Sequence, residues 1–372
     1  MTVLLERGAR SLSAPAQGSA PLSFGHLDRL LTGIGLWQHA QGDRPHKRHG
    51  YSIDDEARGL IVGLHSWRQG VAPEFYDRLA QTCFRFIESA AITAGKGAGR
   101  YHNFCDANGR WLDSIGSDDS FGRTLWGLGV AHAVNAPFAS RAVAEVLLRR
   151  SLPAIDGLSP WYLRAHAFVI FGLAAARLDD ARLKAAADVL TVAYETNADE
   201  SWHWFEDGMT YCNARLPQAL FAASRLFPGE TKYARIATTS LDFLLEKTRN
   251  DQRSYDPVGN ARLTTRGWFL RTDETPARFD QQPVDAGALV ECCVEAWHAT
   301  GEARFGQAAR DAFRWYEGAN LHGLPVYDAK TGGVADALTP QGLNGNQGAE
   351  SVLSVHLAHR ALNTLTGETA HP

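Results

Sequence analysis

The strongest constraint on this chain is a two-helix unit that recurs about six times. Each unit opens on a polar loop and runs into a helix with an apolar body rich in small residues. An amphipathic helix accompanies it. The strings that begin at Ile53, Ser117, Ser159, Trp202, Phe279 and Asn344 each lead into a helix of the first kind. Apolar residues recur at helical spacing over 24–39, 73–91, 137–150, 180–194, 231–247 and 302–316, the second kind. A helix that is apolar nearly all round is buried, and one with a polar face lies outside. Inner and outer helices in alternation close most simply into an all-α (α/α)6 barrel, with one continuous core. Gly59, Gly63, Gly127, Gly129, Gly172 and Ala174 lie on the inner helices and allow them to pack closely. The spacing predicts one domain over 23–366, preceded by a loose arm rich in Ser, Ala, Pro and Gly over 1–22. Minor β structure is expected near 100–112, where Asn108-Gly109 signals a tight turn, and near 250–280.

The polar loops precede the inner helices, so they gather at one end of the barrel, where any site must lie. They carry carboxylate pairs: Asp54/Asp55, Asp118/Asp119, Glu206/Asp207 and Asp280/Asp285. Acids in a first helical turn are favoured by capping and by the helix dipole alone. Arg58 and Arg123 follow Asp54 and Asp119 by four residues, the spacing of a one-turn ion pair. Capping does not require the company these acids keep: His49 and Tyr51, Trp111, and Trp204 and Tyr211. Aromatic faces beside paired carboxylates suit a sugar ring, whose glycosidic bond two acids can cleave or form. Glu206, between Phe205 and Asp207, is the expected proton donor, with Asp207 the opposing assignment. Asp55 and Asp119, held ionised at helix starts, are the expected base or stabiliser. Asp54, Arg58, Asp118, Arg123, Asp280, Gln281, Asn346, Gln347 and Glu350 complete the set expected to contact substrate.

Other functions have little support. The net charge is −4 and the pI near 6.4, with no run of Lys or Arg, which argues against nucleic acid and an anionic membrane surface as partners. No stretch approaches the roughly 20 apolar residues of a membrane span. Five cysteines, without CxxC spacing, point to reduced thiols and a cytoplasmic chain. The 14 histidines show no HExxH and no paired spacing, so no metal is expected. The absence of GxGxxG and of a P-loop gives nucleotide cofactors no support.

Four strings carry a resemblance: His49-Gly-Tyr-Ser-Ile-Asp-Asp-Glu-Ala-Arg, Gly116-Ser-Asp-Asp-Ser-Phe-Gly-Arg-Thr-Leu-Trp, Trp204-Phe-Glu-Asp-Gly-Met-Thr-Tyr-Cys-Asn-Ala-Arg and Asn346-Gln-Gly-Ala-Glu-Ser. Over 46–360 the chain resembles bacterial proteins often labelled glycosyltransferase, whose commoner forms read DDNARAL, GSEDSHGRALWALG and NQGAES. More distantly it is similar to (α/α)6-barrel glycoside hydrolases, phosphorylases and sugar epimerases. Where the relatives carry Asn after the first acid pair, this chain has Glu56. The resemblance implies a carbohydrate-active enzyme acting on an oligosaccharide or glycoside, expected here to invert and to need no cofactor. Two alternatives stay open. One is a sugar epimerase or isomerase of the same fold, using histidines such as His49, His102, His166 or His203. The other is a non-catalytic glycan-binding domain that assists a separate glycosyltransferase.

Overall fold

A computed structural model describes residues 21–68, 73–259 and 269–366. Most of the N-terminal arm and the middle of the 250–280 loop lie outside these residues, although Leu22 packs against the core.

Six helices form an inner ring: α2 (Ile53–Arg68), α4 (Asp118–Val134), α6 (Leu163–Ala176), α8 (Arg215–Leu226), α10 (Pro283–Thr300) and α12 (Ala349–Asn363). Each packs on the next, and α12 closes the ring on α2. Outside them lie α3 (Pro73–Ala90), α5 (Arg141–Ile155), α7 (Asp180–Asn197), α9 (Thr231–Thr248) and α11 (Ala303–Phe313), each against the inner helix that precedes it. A short α1 (Gly25–Leu30) packs on α12 and completes the outer ring. The molecule is therefore the (α/α)6 barrel that the alternation predicts. The inner helices are buried along almost their whole length, without a break from Ser120 to Ala131 in α4.

The ring closes so tightly because its glycines let backbones touch. A Cβ added at Gly129 would fall on the carbonyl of Gly172, and one added at Gly172 on that of Leu125. Gly129→Ala should therefore destabilise by about 1–3 kcal/mol, through overpacking. In an exposed helix the same change would be favourable. Urea denaturation of the two proteins checks the sign.

The helix expected over 24–39 stops at Leu30. Thr32 turns the chain: its hydroxyl donates to the carbonyl of Gly35, and its oxygen accepts the N–H groups of Ile34 and Gly35. This local hydrogen bonding outcompetes the helix. The chain then makes the hairpin of β1 (Ala40–Gln41) and β2 (Arg44–Pro45). β3 (Tyr51–Ser52) pairs antiparallel with β4 (Phe104–Cys105), and the turn expected at Asn108-Gly109 follows, with Gly109 at φ 85°. β5 (Gly208–Met209) pairs with β6 (Phe269–Leu270), and β7 (Leu338–Thr339) with β8 (Gly342–Leu343).

These two-residue strands pin down the long loops ahead of the inner helices. At the opposite end the connections are short, such as residues 177–179 and 301–302. The N-terminal end of the ring is thus walled by loops, and six helix N-termini point their unpaired N–H groups and positive dipole ends into one mouth.

Candidate active site

Arginines stand at the inner-helix starts, where the dipoles disfavour positive charge: Arg58 in α2, Arg123 in α4 and Arg164 in α6. All three are almost fully buried. Carboxylates from the same helices, from neighbouring helices and from the loop before β5 compensate them, and the result is one network across the mouth.

Arg123 is its centre. Its Nε donates to Asp119 Oδ2 at 2.7 Å and lies 3.7 Å from Asp54 Oδ1. A terminal nitrogen meets Cys212 Sγ at 3.5 Å, and the guanidinium covers the Phe168 ring at 4.2 Å. The Tyr211 hydroxyl donates to Asp119 Oδ1 at 2.9 Å. Arg164 Nε donates to the Tyr211 carbonyl at 2.8 Å, and one of its terminal nitrogens holds both oxygens of Glu206 at 2.6 and 2.7 Å. Arg58 bridges Asp55 at 3.2 Å and Glu350 of α12 at 2.5 Å. Asp285 of α10 faces the backbone N–H groups of Cys212 and Asn213 ahead of α8. Cys212 sits at φ 46°, a conformation costly for a residue with a Cβ.

The acids are not spent on capping. Ser117 caps α4, accepting the N–H of Ser120, and the Ser52 hydroxyl accepts the N–H of Asp54. The two central carboxylates are driven apart in acidity. Burial pushes Asp54 up, and the neighbouring charge of Asp119 adds to this against the pull of Arg123. Burial also pushes Asp119 up, but Arg123 and the Tyr211 hydroxyl more than offset it, so Asp119 lies below the usual carboxylate range. Burial raises Asp285 to about 7. Titratable groups displaced in opposite directions mark an acid and a base.

The structure brings together Asp54, Asp55, Arg58, Asp119, Arg123, Glu206, Tyr211 and Glu350. Within the first pair it reverses the expected emphasis. Asp55 is 7% exposed and pinned by Arg58, whereas Asp54 is 24% exposed, and its Oδ1 accepts no hydrogen bond. Glu206, expected as the proton donor, has both its oxygens held by one terminal nitrogen of Arg164. Asp207 is 86% exposed, and its nearest cation is Arg271 at 4.0 Å. It stands outside the network, because the chain turns at Glu206 into β5.

The other residues expected to contact substrate make contacts within the protein. Trp204, with no exposed surface, lies in the core against Phe205. Tyr51 is equally buried, stacked on Trp37 with its hydroxyl beside that of Thr32. Gln281 is buried and accepts the indole N–H of Trp315 at 2.8 Å. Aromatic and amide side chains next to acid pairs read alike in sequence whether they face a cleft or a core. Asp280, half-buried at φ 56°, makes the turn ahead of Gln281. Asp118 pairs with Arg100 at 2.7 Å. Asn346 ties the β1–β2 hairpin to α12, accepting the Ala40 N–H at 2.9 Å and bonding Asp336. The Gln347 carbonyl bonds the His26 ring at 2.8 Å. His49 is exposed at the rim, its ring 4.6 Å from His39 and 5.0 Å from His46. Trp111 is half-buried and stacks on His102 at 5.1 Å.

Of the network, Arg164 is not singled out by the sequence, and Asp285 only in a pair with Asp280. The recurrence of an Arg at inner-helix starts was the signal for the first. Nothing local separates Asp285 from a capping acid. Glu56, the departure from the resembling group, faces away from the mouth. One of its oxygens accepts the Leu36 N–H at 2.6 Å, and burial pushes the carboxyl up to about 8. Its folded-state pKa exceeds the unfolded value, so the folded chain holds the proton longer. Stability should fall as pH rises from about 4.5 to about 8 and then level off. Glu56→Gln should remove that fall and raise Tm at pH 9, as melting curves across pH would record.

No family model matches the chain, and no curated protein matches it by sequence. Solved structures do match. A sugar epimerase from a ruminal bacterium superimposes with a TM-score of 0.68 at 12% identity, covering 92% of this chain and 95% of that one. A cellobiose 2-epimerase from Bacillus thermoamylovorans gives 0.69 at 13% identity, covering 92% and 95%. An α-1,6-mannanase from Salegentibacter gives 0.59 at 13% identity, covering 92% and 96%. Among the described residues no helix is long and apolar enough to cross a membrane. The chain thus has the (α/α)6-barrel fold that these carbohydrate-active enzymes share.

Proposed function

We propose that the protein is a carbohydrate-active enzyme that acts on glycosidic bonds at the N-terminal mouth of the barrel. Asp54 is the proton donor and Asp119 the ionised partner. The observation that carries this reading is a pair of carboxylates facing a single guanidinium, Asp119 bonded by Arg123 and Tyr211, and Asp54 with an oxygen that accepts no hydrogen bond. A raised carboxyl can protonate a leaving oxygen, and a lowered one stays charged beneath a developing oxocarbenium ion. Fixed donors from Arg123 and Tyr211 hold Asp119 in place, so little reorganisation is needed as charge develops.

The spacing bears on the expected inversion. Asp119 Oδ2 and Asp54 Oδ1 lie 2.7 and 3.7 Å from the same nitrogen, so they cannot be further apart than those two distances combined. That holds the two facing oxygens at or below the short end of the roughly 6.5–9.5 Å in which an inverting enzyme seats its water. The pair better suits direct attack: Asp54 protonates the departing oxygen while Asp119 bonds the anomeric carbon, and water then releases the sugar.

The test is incubation with 2-deoxy-2-fluoro glycosyl fluorides of glucose and mannose in both anomeric forms. A mass increase of one fluorosugar on the peptide carrying Asp119 is expected. Slow turnover of the same reagents with no covalent adduct would overturn direct attack. Epimerisation of free cellobiose or mannose, followed by proton exchange at C2, would move the assignment to the epimerase reading. The compact Asp54–Arg123–Asp119 cluster favours that reading too, because a guanidinium can stabilise an enediolate.

A further inference from the structure

Exposed large apolar side chains concentrate in the loops around the mouth. Ile34, Phe104, Leu112, Trp161, Tyr162 and Leu343 all belong to segments that lead into inner helices. Trp161 is the extreme case at 85% exposed, and Tyr162 beside it is 60% exposed. An indole left in water is costly, and such patches mark surfaces that bind something.

Trp161 borders a groove of about 710 Å³ on the outer side of the α6 start. The floor is apolar, formed by Val189 and Val192 of α7 with Phe205, and one wall carries Glu206 and Asp207. The volume lies within the range that holds a small ligand, roughly 300–1,000 Å³. The groove is tied to the network in the mouth by a chain of hydrogen bonds. Glu206 lines it, and the Glu206 carboxylate is held by Arg164, whose Nε bonds Tyr211, whose hydroxyl bonds Asp119.

We propose that a glycan seated in the mouth extends over Trp161 into this groove, which is a subsite for the outer sugars of an uncharged oligosaccharide. The inference rests on the glycosidic-bond reading above and adds the substrate's length and charge. A flat, exposed indole offers a stacking face for the apolar side of a pyranose ring. The Glu206 and Asp207 oxygens offer acceptors to hydroxyl groups and repel carboxylate or phosphate. A monosaccharide-specific site would have no use for a platform outside its mouth.

Calorimetric titrations of the full chain carrying Asp54→Asn, in which turnover should be slowed about 100-fold or more, test this. The probes are cellobiose and cellohexaose, and α-1,6-mannobiose and α-1,6-mannohexaose. In one series the hexasaccharide should bind about tenfold or more tightly than the disaccharide. Adding Trp161→Ala should abolish that chain-length advantage and leave disaccharide affinity unchanged, while Trp161→Phe should keep most of it. Equal affinity for the short and long members of the series that binds would overturn the subsite and leave the glycosidic-bond reading standing. So would a chain-length advantage that survives Trp161→Ala, or a dimer in sedimentation that Trp161→Ala dissolves, since the groove would then be a protein interface. Failure of every glycan to bind, with the fold intact by circular dichroism, would overturn both readings.

Discussion

Asp54→Asn should lower kcat by about 100-fold or more and leave the melting temperature at neutral pH equal or higher. The first effect is the loss of a general acid. The second follows from burial, which raises Asp54 above its unfolded value. A raised carboxyl contributes stability at low pH and loses it as pH climbs through the interval between the unfolded and folded values. Removing the charge at pH 7 therefore costs nothing. An acid retained as a helix cap would behave oppositely, losing about 1 kcal/mol with activity unchanged. Asp119→Asn should lose both rate and stability, because it takes a charged acceptor from buried Arg123. The wild-type pH–rate profile should be bell-shaped, falling at low pH as the Asp54–Asp119 pair gains a second proton and at high pH as it loses its last one. The two limbs belong to the coupled pair, not to either residue alone. Kinetics and thermal melting of both variants check the assignment.

Arg123→Met should be the most damaging single change in the mouth. It leaves Asp119 and Asp54 facing each other without their shared cation and removes the donor to Cys212. Breaking a buried pair from one side costs about 3–5 kcal/mol, or a fall in Tm of roughly 5–10 °C. Arg123→Lys should recover part of the stability but little activity. A point charge cannot bond Asp119, reach Cys212 and stack on Phe168 together, as the planar guanidinium does. The Coulombic pull of Arg123 lowers both carboxyls, so in Arg123→Met the surviving pH–rate profile should shift toward alkaline pH. A Lys variant with wild-type kcat would show that Arg123 is only a strut.

The acid pairs were legible in the sequence, but the assignment within each pair was not. Asp54 and Asp55 are adjacent on one helix, and about 100° of rotation places one in the open mouth and the other beneath Arg58. Glu206 and Asp207 straddle the turn into β5, which keeps the first on Arg164 and swings the second into solvent. Neither rotation nor turn leaves a local signature. The same holds for Trp204 and Tyr51, whose aromatic rings could equally have faced substrate or core.

The sequence by itself determined the barrel. Helical period, small residues on alternate helices and polar loops ahead of them are local properties, and the requirement to bury every apolar face admits essentially one closed arrangement. It also determined which end gathers the acids and arginines of the network, because only one end receives the long loops. The tertiary structure alone decided the chemistry. Asp54, Asp119, Arg164 and Asp285 come from four helices up to 231 positions apart in the chain. Their acidities depend on burial and on distances of a few ångströms between those helices. Coulomb energies and desolvation vary steeply over such distances, and no pattern along the chain records them.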